Sequence, residues 1–317
     1  MMARLAFRRP DFPTILAWLL LLWPLPGSAA DEALILRLVP ERVKQGGLAT
    51  LWIEGAAPLA ELRIQLGEHT IPVPAPSAAP GLGGRTPVWL GVDLEQPPGP
   101  LPITVEAVSL TGRPLRNGAV LEVAEGRYSV QRLTLPRAFT ELDAATLLRV
   151  AQEKARLDSL WERVTSARPR QALFRPPLEG AGPGGGFGQR RIINGDPRAP
   201  HGGVDYPAPA GAPVLAANAG SVVLAEEHFF GGKSVVVDHG WGLYTIYLHL
   251  AEVLVDVGRG VERGEVIGRV GSTGRSTGPH LHWGVRLFGA RIDPQELLRL
   301  PAEFLRNGQP SHRRGDP

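Results

Sequence analysis

The sequence predicts a mainly β protein with two folded parts joined by a helical segment. Gly and Pro contribute 39 and 31 of the 317 residues, which favours many turns and short strands over long helices. Short apolar segments bounded by turn residues recur on both sides of one helix-like stretch. Because a domain usually has about 100–200 residues, this length accommodates two domains.

Residues 1–30 have the pattern of a secretory signal peptide. Basic residues in the first nine positions precede an apolar run from Thr14 to Leu25, and small residues follow as far as Ala30. We expect cleavage after Ala30. The run is shorter than the roughly 20 residues of a spanning helix, so no stable membrane span is expected after cleavage. An uncleaved N-terminal anchor is the alternative.

Residues 31–126 are predicted to form an N-terminal immunoglobulin-like β-sandwich. Short strand-like segments lie there at even spacing and are separated by turn-forming residues, which is typical of a small antiparallel sandwich. No cluster of chemically active residues occurs there, so we expect a binding or positioning role. The predicted strands are Ile35–Val39, Ala49–Glu54, Leu62–Leu66, Val88–Val92, Ile103–Ser109 and Ala119–Val123.

Residues 127–170 form a connecting segment that contains the one long predicted helix. From residue 141 to 165, apolar residues recur near helical spacing among charged residues. Thr140 and Asp143 are candidate helix caps, because short polar side chains can accept hydrogen bonds from the first turn. We expect the helix to pack on a domain or to bridge two.

Residues 171–300 are predicted to form an antiparallel β domain, and residues 301–317 a disordered tail. Glycine-rich loops over residues 180–188 and 271–278 are expected to border a cleft, which Phe187 and Arg190 could line. A short terminal helix is predicted to begin at Asp293. The predicted strands are Val214–Ala217, Ser221–Ala225, Lys233–Asp238, Leu243–His249, Val266–Val270 and His280–Leu287.

Composition and local context exclude several function classes. The formal net charge of only +3 does not indicate a protein that binds nucleic acid by neutralising phosphates. The absence of cysteine excludes disulfides, thiolate zinc sites and cysteine nucleophiles. A G-x-S-x-G motif at residues 274–278 would need a helix after it to act as a nucleophile elbow, whereas Pro279 and a strand-like segment follow.

Histidines cluster in the C-terminal part of the chain, where six of the eight lie between His201 and His282. His280 and His282 are two residues apart, so on a strand both side chains face the same way. His201 and Asp205, four apart, also share a face in an extended segment. Imidazole and carboxylate ligands suit Zn²⁺. Because a catalytic zinc usually has three protein ligands, these four candidates allow either a closed structural site or one free histidine.

His249 could face the same site, since it ends another predicted strand. His239 is interpreted as a structural residue at a strand end. His228 has no partner pattern and is placed on a loop, and His69 is predicted to lie on the surface.

Three blocks of the C-terminal part resemble lysostaphin/LytM-type zinc endopeptidases of peptidoglycan. The resemblance covers roughly residues 174–295, and the blocks occur in that family's order. They read HGGVDYPAPAGAPVLAANAGSV, VVVDHGWGLYTIYLHL and GRVGSTGRSTGPHLHWGV. The resemblance implies a LytM-type, duplicated hybrid motif fold for this part.

The same resemblance implies how the site residues act. One Zn²⁺ would be bound by His201, Asp205 and His282, while His249 and His280 would act on the water and the transition state. Which of these two is the general base stays open. The implied substrate is the cross-linked stem peptide of peptidoglycan, with a protein regulator as a possible further partner.

The resemblance also implies a location and a rival function. An exported, periplasmic protein is expected, with secretion or anchoring by an uncleaved N-terminus as alternatives. Some relatives have lost metal ligands and activate other wall hydrolases. A non-catalytic wall-binding regulator is therefore the rival reading, although no ligand is missing here.

Overall fold

Strands dominate the computed structural model, as the sequence predicts. It describes residues 34–55, 59–73, 85–134, 142–165 and 173–300. Within these ranges it has two helices, α1 (Ala144–Trp161) and α2 (Pro294–Leu298). The predicted signal peptide and the predicted tail lie outside the described residues. Neither described helix combines the length and the apolar character needed to cross a membrane.

The N-terminal region consists of two sheets that share one apolar core. Their strand orders are β1-β3-β6 and β2-β8-β7-β4-β5. Alternate residues point into the core, which includes Leu51, Ile64, Leu90, Ile103 and Leu121. The strands are β1 (Leu34–Val39), β2 (Arg42–Lys44), β3 (Leu48–Gly55), β4 (Leu59–Leu66), β5 (His69–Pro72), β6 (Arg85–Gly91), β7 (Gly99–Ser109) and β8 (Pro114–Ala124).

Two of these strands are not predicted by the sequence pattern. β2 and β5 have only three and four residues, too few to show a clear alternation of apolar and polar residues. The predicted antiparallel arrangement has one exception, because β2 pairs with β8 in parallel.

The connecting segment holds a strand as well as the predicted helix. β9 (Val130–Leu133) runs parallel to β10 (Arg190–Ile193), which pairs antiparallel with β11 (Asp196–Pro197). α1 is shorter than the predicted helix over residues 141–165. It begins after Asp143, whose carboxylate accepts a 2.7 Å hydrogen bond from Thr146 N and so caps the helix. Thr140 lies outside the described residues.

The C-terminal region is built on one nine-stranded sheet. Its main order is β12-β19-β16-β15-β14-β17, with β13, β18 and β20 attached, and all of its pairs are antiparallel. Trp283, Tyr206 and Tyr247 are fully buried in its core. The strands are β12 (Gly203–Pro207), β13 (Pro213–Leu215), β14 (Gly220–His228), β15 (Gly232–Gly240), β16 (Leu243–Val253), β17 (Gly260–Val261), β18 (Val266–Val270), β19 (His280–Leu287) and β20 (Ala290–Ile292).

Direct ion pairs join the N-terminal sheets to this C-terminal sheet. Arg291 Nη2 lies 2.6 Å from Asp93 Oδ1 and 2.6 Å from Glu95 Oε2. Lys44 Nζ lies 2.9 Å from Asp293 Oδ2. Asp293 also caps α2, as predicted, by accepting a hydrogen bond from Gln295 N. All described residues belong to one compact unit.

Candidate metal centre

Pairing of β12 with β19 places a carboxylate directly opposite a histidine. Asp205 is the cross-strand partner of His282, and Asp205 Oδ1 lies 2.9 Å from His282 Nδ1. His201, just before β12, brings Nε2 to 3.1 Å from the same Oδ1 and to 2.9 Å from His282 Nδ1. The structure thus brings together the three residues that the resemblance implies as metal ligands.

These three atoms have the spacing and chemistry of a metal-binding set. Zinc bonds of 2.0–2.1 Å in tetrahedral geometry separate ligand atoms by roughly 3.3 Å, close to the distances of 2.9–3.1 Å found here. His201 Nδ1 lies 2.8 Å from the carbonyl oxygen of Gly186. A carbonyl only accepts hydrogen bonds, so Nδ1 carries the proton and Nε2 offers its lone pair to a metal. The residues present therefore fit a divalent ion.

Glycines allow the chain to approach His201 closely. Gly185 pairs with Asp205 through two backbone hydrogen bonds of 2.8 and 3.1 Å. Gly186 has a φ of +88°, and a Cβ there would lie 3.1 Å from His201 Nδ1. The glycine-rich loop predicted over residues 180–188 is therefore part of the site, because its backbone orients a ligand.

The electrostatic environment favours the metal-binding forms of these side chains. Burial opposes ionisation of Asp205, but hydrogen bonds with His201 and His282 outweigh it and hold the pKa of this carboxyl well below its usual value. Burial also lowers the pKa of His282. At neutral pH the carboxylate is charged and the His282 imidazole is neutral, as metal ligation requires.

His249 lies beside the metal-binding set in a constrained conformation. Its φ of +63° is in the left-handed region, which costs a non-glycine residue about 1–3 kcal/mol. Two contacts hold it there: its N–H donates to Gly231 O at 2.8 Å, and its Nδ1 donates to Thr273 O at 2.9 Å. Burial, and to a lesser degree the nearby histidines, lower the pKa of His249 to about 4. The ring is therefore neutral at pH 7, with a free lone pair on Nε2.

His280 is oriented in the same manner. Its Nδ1 donates to Gly278 O at 2.8 Å, and its Nε2 lies 3.8 Å from Asp205 Oδ1. The rings of His249 and His280 are 4.7 Å apart, and those of His249 and His282 6.2 Å. All five residues singled out from the sequence therefore form one cluster, in which His280 and His282 project from the same face of β19 as expected.

The other residues discussed from the sequence have mixed outcomes. His239 is buried at a strand end as expected, with its ring nitrogens 2.8 Å from Ala219 O and 2.7 Å from Thr245 Oγ1. The loop position predicted for His228 is wrong, because it is buried at the end of β14. Phe187 does not line a cleft; it is buried, and its ring lies 5.7 Å from that of Tyr128.

Sequence reasoning did not identify the backbone carbonyls that orient the three rings. They belong to Gly186, Thr273 and Gly278. A carbonyl group is present at every residue, so no side-chain pattern distinguishes these three. The only available signal was the density of glycine in the two loops that carry them.

Comparison with known proteins identifies the C-terminal region. Residues 199–294 match the model of Peptidase family M23. Peptidoglycan DD-endopeptidase ShyA of Vibrio cholerae serotype O1 is 44% identical over 95 residues, which are 30% of this chain and 22% of that protein. ShyC, a peptidoglycan DD-endopeptidase of the same organism, is 38% identical over 138 residues, or 43% of this chain and 32% of that protein.

A solved structure is similar over a larger part of the chain. It is described as a peptidase M23 from Pseudomonas aeruginosa, with 29% identity and a TM-score of 0.58, and the match covers 80% of this chain and 94% of that one. The two curated relatives are matched over only 22% and 32% of their own lengths. The matched segment contains all five clustered residues, and residues 199–294 are thus a peptidase family M23 domain.

Proposed function

We propose that this protein is a zinc-dependent endopeptidase that hydrolyses the peptide cross-links of bacterial peptidoglycan. The observation that carries the proposal is a compact triangle of ligand atoms from His201, Asp205 and His282, flanked by two histidines that lie outside the triangle. Relatives of the M23 domain named peptidoglycan DD-endopeptidases support the substrate class.

The three ligands would hold one zinc ion through His201 Nε2, Asp205 Oδ1 and His282 Nδ1. Three protein ligands leave a fourth position open, as in catalytic rather than structural sites. A zinc ion bound there would supply a Lewis acid that polarises the scissile carbonyl group and activates a water molecule for attack.

His249 and His280 supply the proton chemistry in this proposal. Each donates from Nδ1 to a backbone carbonyl, so each neutral ring has a lone pair on Nε2 that can accept a proton from the attacking water. The protonated ring can then donate a hydrogen bond to the developing oxyanion or a proton to the departing amine. Either residue can fill either role.

A location follows from the same proposal, and an organisation of the chain is proposed with it. Peptidoglycan lies outside the cytoplasm, so we propose export through a signal peptide at residues 1–30 and a periplasmic location. We further propose an immunoglobulin-like sandwich over residues 31–126, a connecting segment over 127–170 and a LytM-type duplicated hybrid motif peptidase over 171–300. Peptidoglycan stem peptides and a protein regulator are the proposed partners.

Replacement of His280 by alanine distinguishes an enzyme from a wall-binding regulator with a structural zinc. If His280 acts on water, the His280→Ala protein keeps one equivalent of zinc, and its peptidase activity is at least about 100-fold lower than that of the wild-type protein. If the site is a closed four-ligand site, the same change removes the metal. Zinc content by atomic absorption and cleavage of peptidoglycan by mass spectrometry measure the two properties. His69→Ala, on the exposed strand β5, is the control.

A further inference from the structure

We propose that Arg191, Arg198 and Arg275 form a binding site for a carboxylate of the substrate next to the metal centre. This inference rests on the proposed peptidase function. It adds a requirement on the substrate, namely a free carboxylate close to the scissile bond. The three guanidinium groups come from two segments, and backbone groups in or next to each segment form hydrogen bonds with histidines of the metal centre.

The first segment is the hairpin formed by β10 and β11. Ile192 pairs with Pro197, and one residue further out Arg198 N donates a hydrogen bond of 2.8 Å to Arg191 O, which places the two arginines opposite each other at the open end of the hairpin. Residues directly opposite each other on antiparallel strands have their side chains on the same face, where two like charges are destabilising. The two like charges therefore do not stabilise the hairpin, and an anionic ligand bound between them would offset their repulsion.

The hairpin is fixed to a metal-binding residue. His201 N donates to Gln189 O at 3.0 Å, and Gly188 N donates to His201 O at 2.8 Å. Arg191 is two residues beyond Gln189, and Arg198 is three residues before His201. The two arginines, one from each strand of the hairpin, are therefore only a few residues along the chain from His201 or from Gln189, which is hydrogen-bonded to it.

The second segment is the loop over residues 271–279. Arg275 lies between Thr273 and Gly278, whose carbonyl groups orient the two catalytic histidines. Its N–H donates to Phe230 O at 3.0 Å, and its guanidinium carbon lies 4.3 Å from the centre of the Phe230 ring. Stacking on an aromatic ring fixes the guanidinium plane and leaves its N–H edges free to bind a ligand.

The charges of Arg191 and Arg198 act on Arg275, and acidic groups do little to neutralise the three. Burial and, after it, the positive charges of Arg191 and Arg198 lower the pKa of Arg275. Within the described ranges, no Asp or Glu pairs with Arg275 or Arg191, and Arg198 has only Asp196 at 3.9 Å. The planar fork of a guanidinium matches a carboxylate with two parallel hydrogen bonds. A carboxylate-bearing peptide would therefore relieve the repulsion within the cluster.

The test uses two synthetic cross-linked peptides that differ only beside the scissile amide, where one has a free carboxylate and the other a carboxamide. We expect the zinc-loaded wild-type protein to prefer the carboxylate peptide by about tenfold in kcat/KM, mainly through KM. Arg275→Gln should lose most of this preference. Arg269→Gln is the matched control and should keep it, because Arg269 is on β18 and pairs with Glu252 at 3.3 Å.

A binding measurement separates failure of this inference from failure of the proposed function. Calorimetry gives the affinity of both peptides for His280→Ala and for the double variant that also carries Arg275→Gln. If the wild-type protein cleaves neither peptide but binding favours the carboxylate and depends on Arg275, the carboxylate site stands and the peptidase proposal fails. An equal preference with and without Arg275, or no binding of either peptide, overturns the carboxylate site.

Discussion

At the scale of single residues, the metal centre could be predicted because strand geometry converts short spacings into shared faces. His280 and His282 are two residues apart, and they project together from β19. The prediction that His249 ends a strand is wrong, because β16 continues to Val253, and the left-handed backbone of His249 could not be foreseen. Such a conformation is favoured by glycine, and here two backbone carbonyls stabilise it instead.

The two glycines after His201 are not equivalent. A Cβ at Gly203 would lie 2.6 Å from His282 Nε2 and 2.5 Å from Trp283 O, whereas a Cβ at Gly202 would have no atom closer than 3.5 Å. We expect Gly203→Ala to displace His282 and to weaken zinc binding by at least about tenfold. Gly202→Ala should leave it unchanged. Competition with a chelating dye measures the affinity, and equal affinities for the two variants would contradict this account.

His239 should make folding stability depend on pH. Burial lowers its pKa to about 4, against 6.5 for the free side chain, so the unfolded chain takes up a proton at a higher pH than the folded one. The free energy of unfolding is then highest above pH 6.5 and falls by about 3 kcal/mol as the pH drops to 4. Urea denaturation of the metal-free protein at several pH values measures this loss.

A histidine variant isolates this contribution, because the lowered pKa of His249 acts in the same pH range. His239→Asn should have a smaller loss of stability between pH 6.5 and 4 than the wild-type protein. Identical slopes for His239→Asn and the wild-type protein would mean that His239 does not titrate abnormally.

At the scale of elements, long strands could be predicted and short ones could not. β16 and β19 have eleven and eight residues, enough for their composition to stand out. β12 begins at the second of two glycines and ends at a proline, so its residues indicate only an extended segment. Its pairing with β19 is a long-range contact, which a local pattern does not contain.

A buried carboxylate of helix α1 contacts the turn that positions His249. Glu153 is buried in α1, accepts hydrogen bonds from Phe229 N at 2.9 and 3.2 Å and pairs with Arg149 Nε at 2.7 Å. Phe229 begins the turn between β14 and β15, and Gly231 O in that turn holds His249. Glu153 therefore helps to position His249 from outside the site.

Replacement of Glu153 tests this connection. We expect Glu153→Ala to lower the free energy of unfolding by about 1–3 kcal/mol, because the Phe229 N–H group loses its acceptor, and to speed hydrogen exchange at Phe229. Arg156→Ala removes an exposed pair between the same helix and Glu226, so its effect should stay within about 1 kcal/mol. Equal effects of the two substitutions on stability and on exchange would show that Glu153 has no special role.

At the scale of the whole molecule, the sequence predicts separate β regions but not their attachment. Arg291 on β20 binds Asp93 through two side-chain hydrogen bonds and one backbone hydrogen bond. These residues are 198 positions apart. No pattern in one sequence shows that such distant charges meet, although the type of each region could be predicted from its turns and strands.

This attachment should contribute to the stability of the whole unit. Arg291→Met removes the guanidinium that pairs with the half-buried Asp93, and we expect a loss of about 1–3 kcal/mol in the free energy of unfolding. Arg116→Met breaks an exposed pair with Glu106 and should change stability by less than about 1 kcal/mol. Urea denaturation measures both, and an Arg291→Met protein as stable as the wild type would argue against a joined unit.

The central claim is that the His-Asp-His centre hydrolyses peptidoglycan cross-links with zinc. The most direct measurement incubates the purified protein, loaded with one equivalent of zinc, with purified peptidoglycan and identifies the soluble products by mass spectrometry. The account predicts cleaved peptide cross-links for the wild-type protein and none for His282→Ala, which lacks one ligand of the metal. Release of the same products by both proteins would contradict the account, as would an intact wall despite stoichiometric zinc.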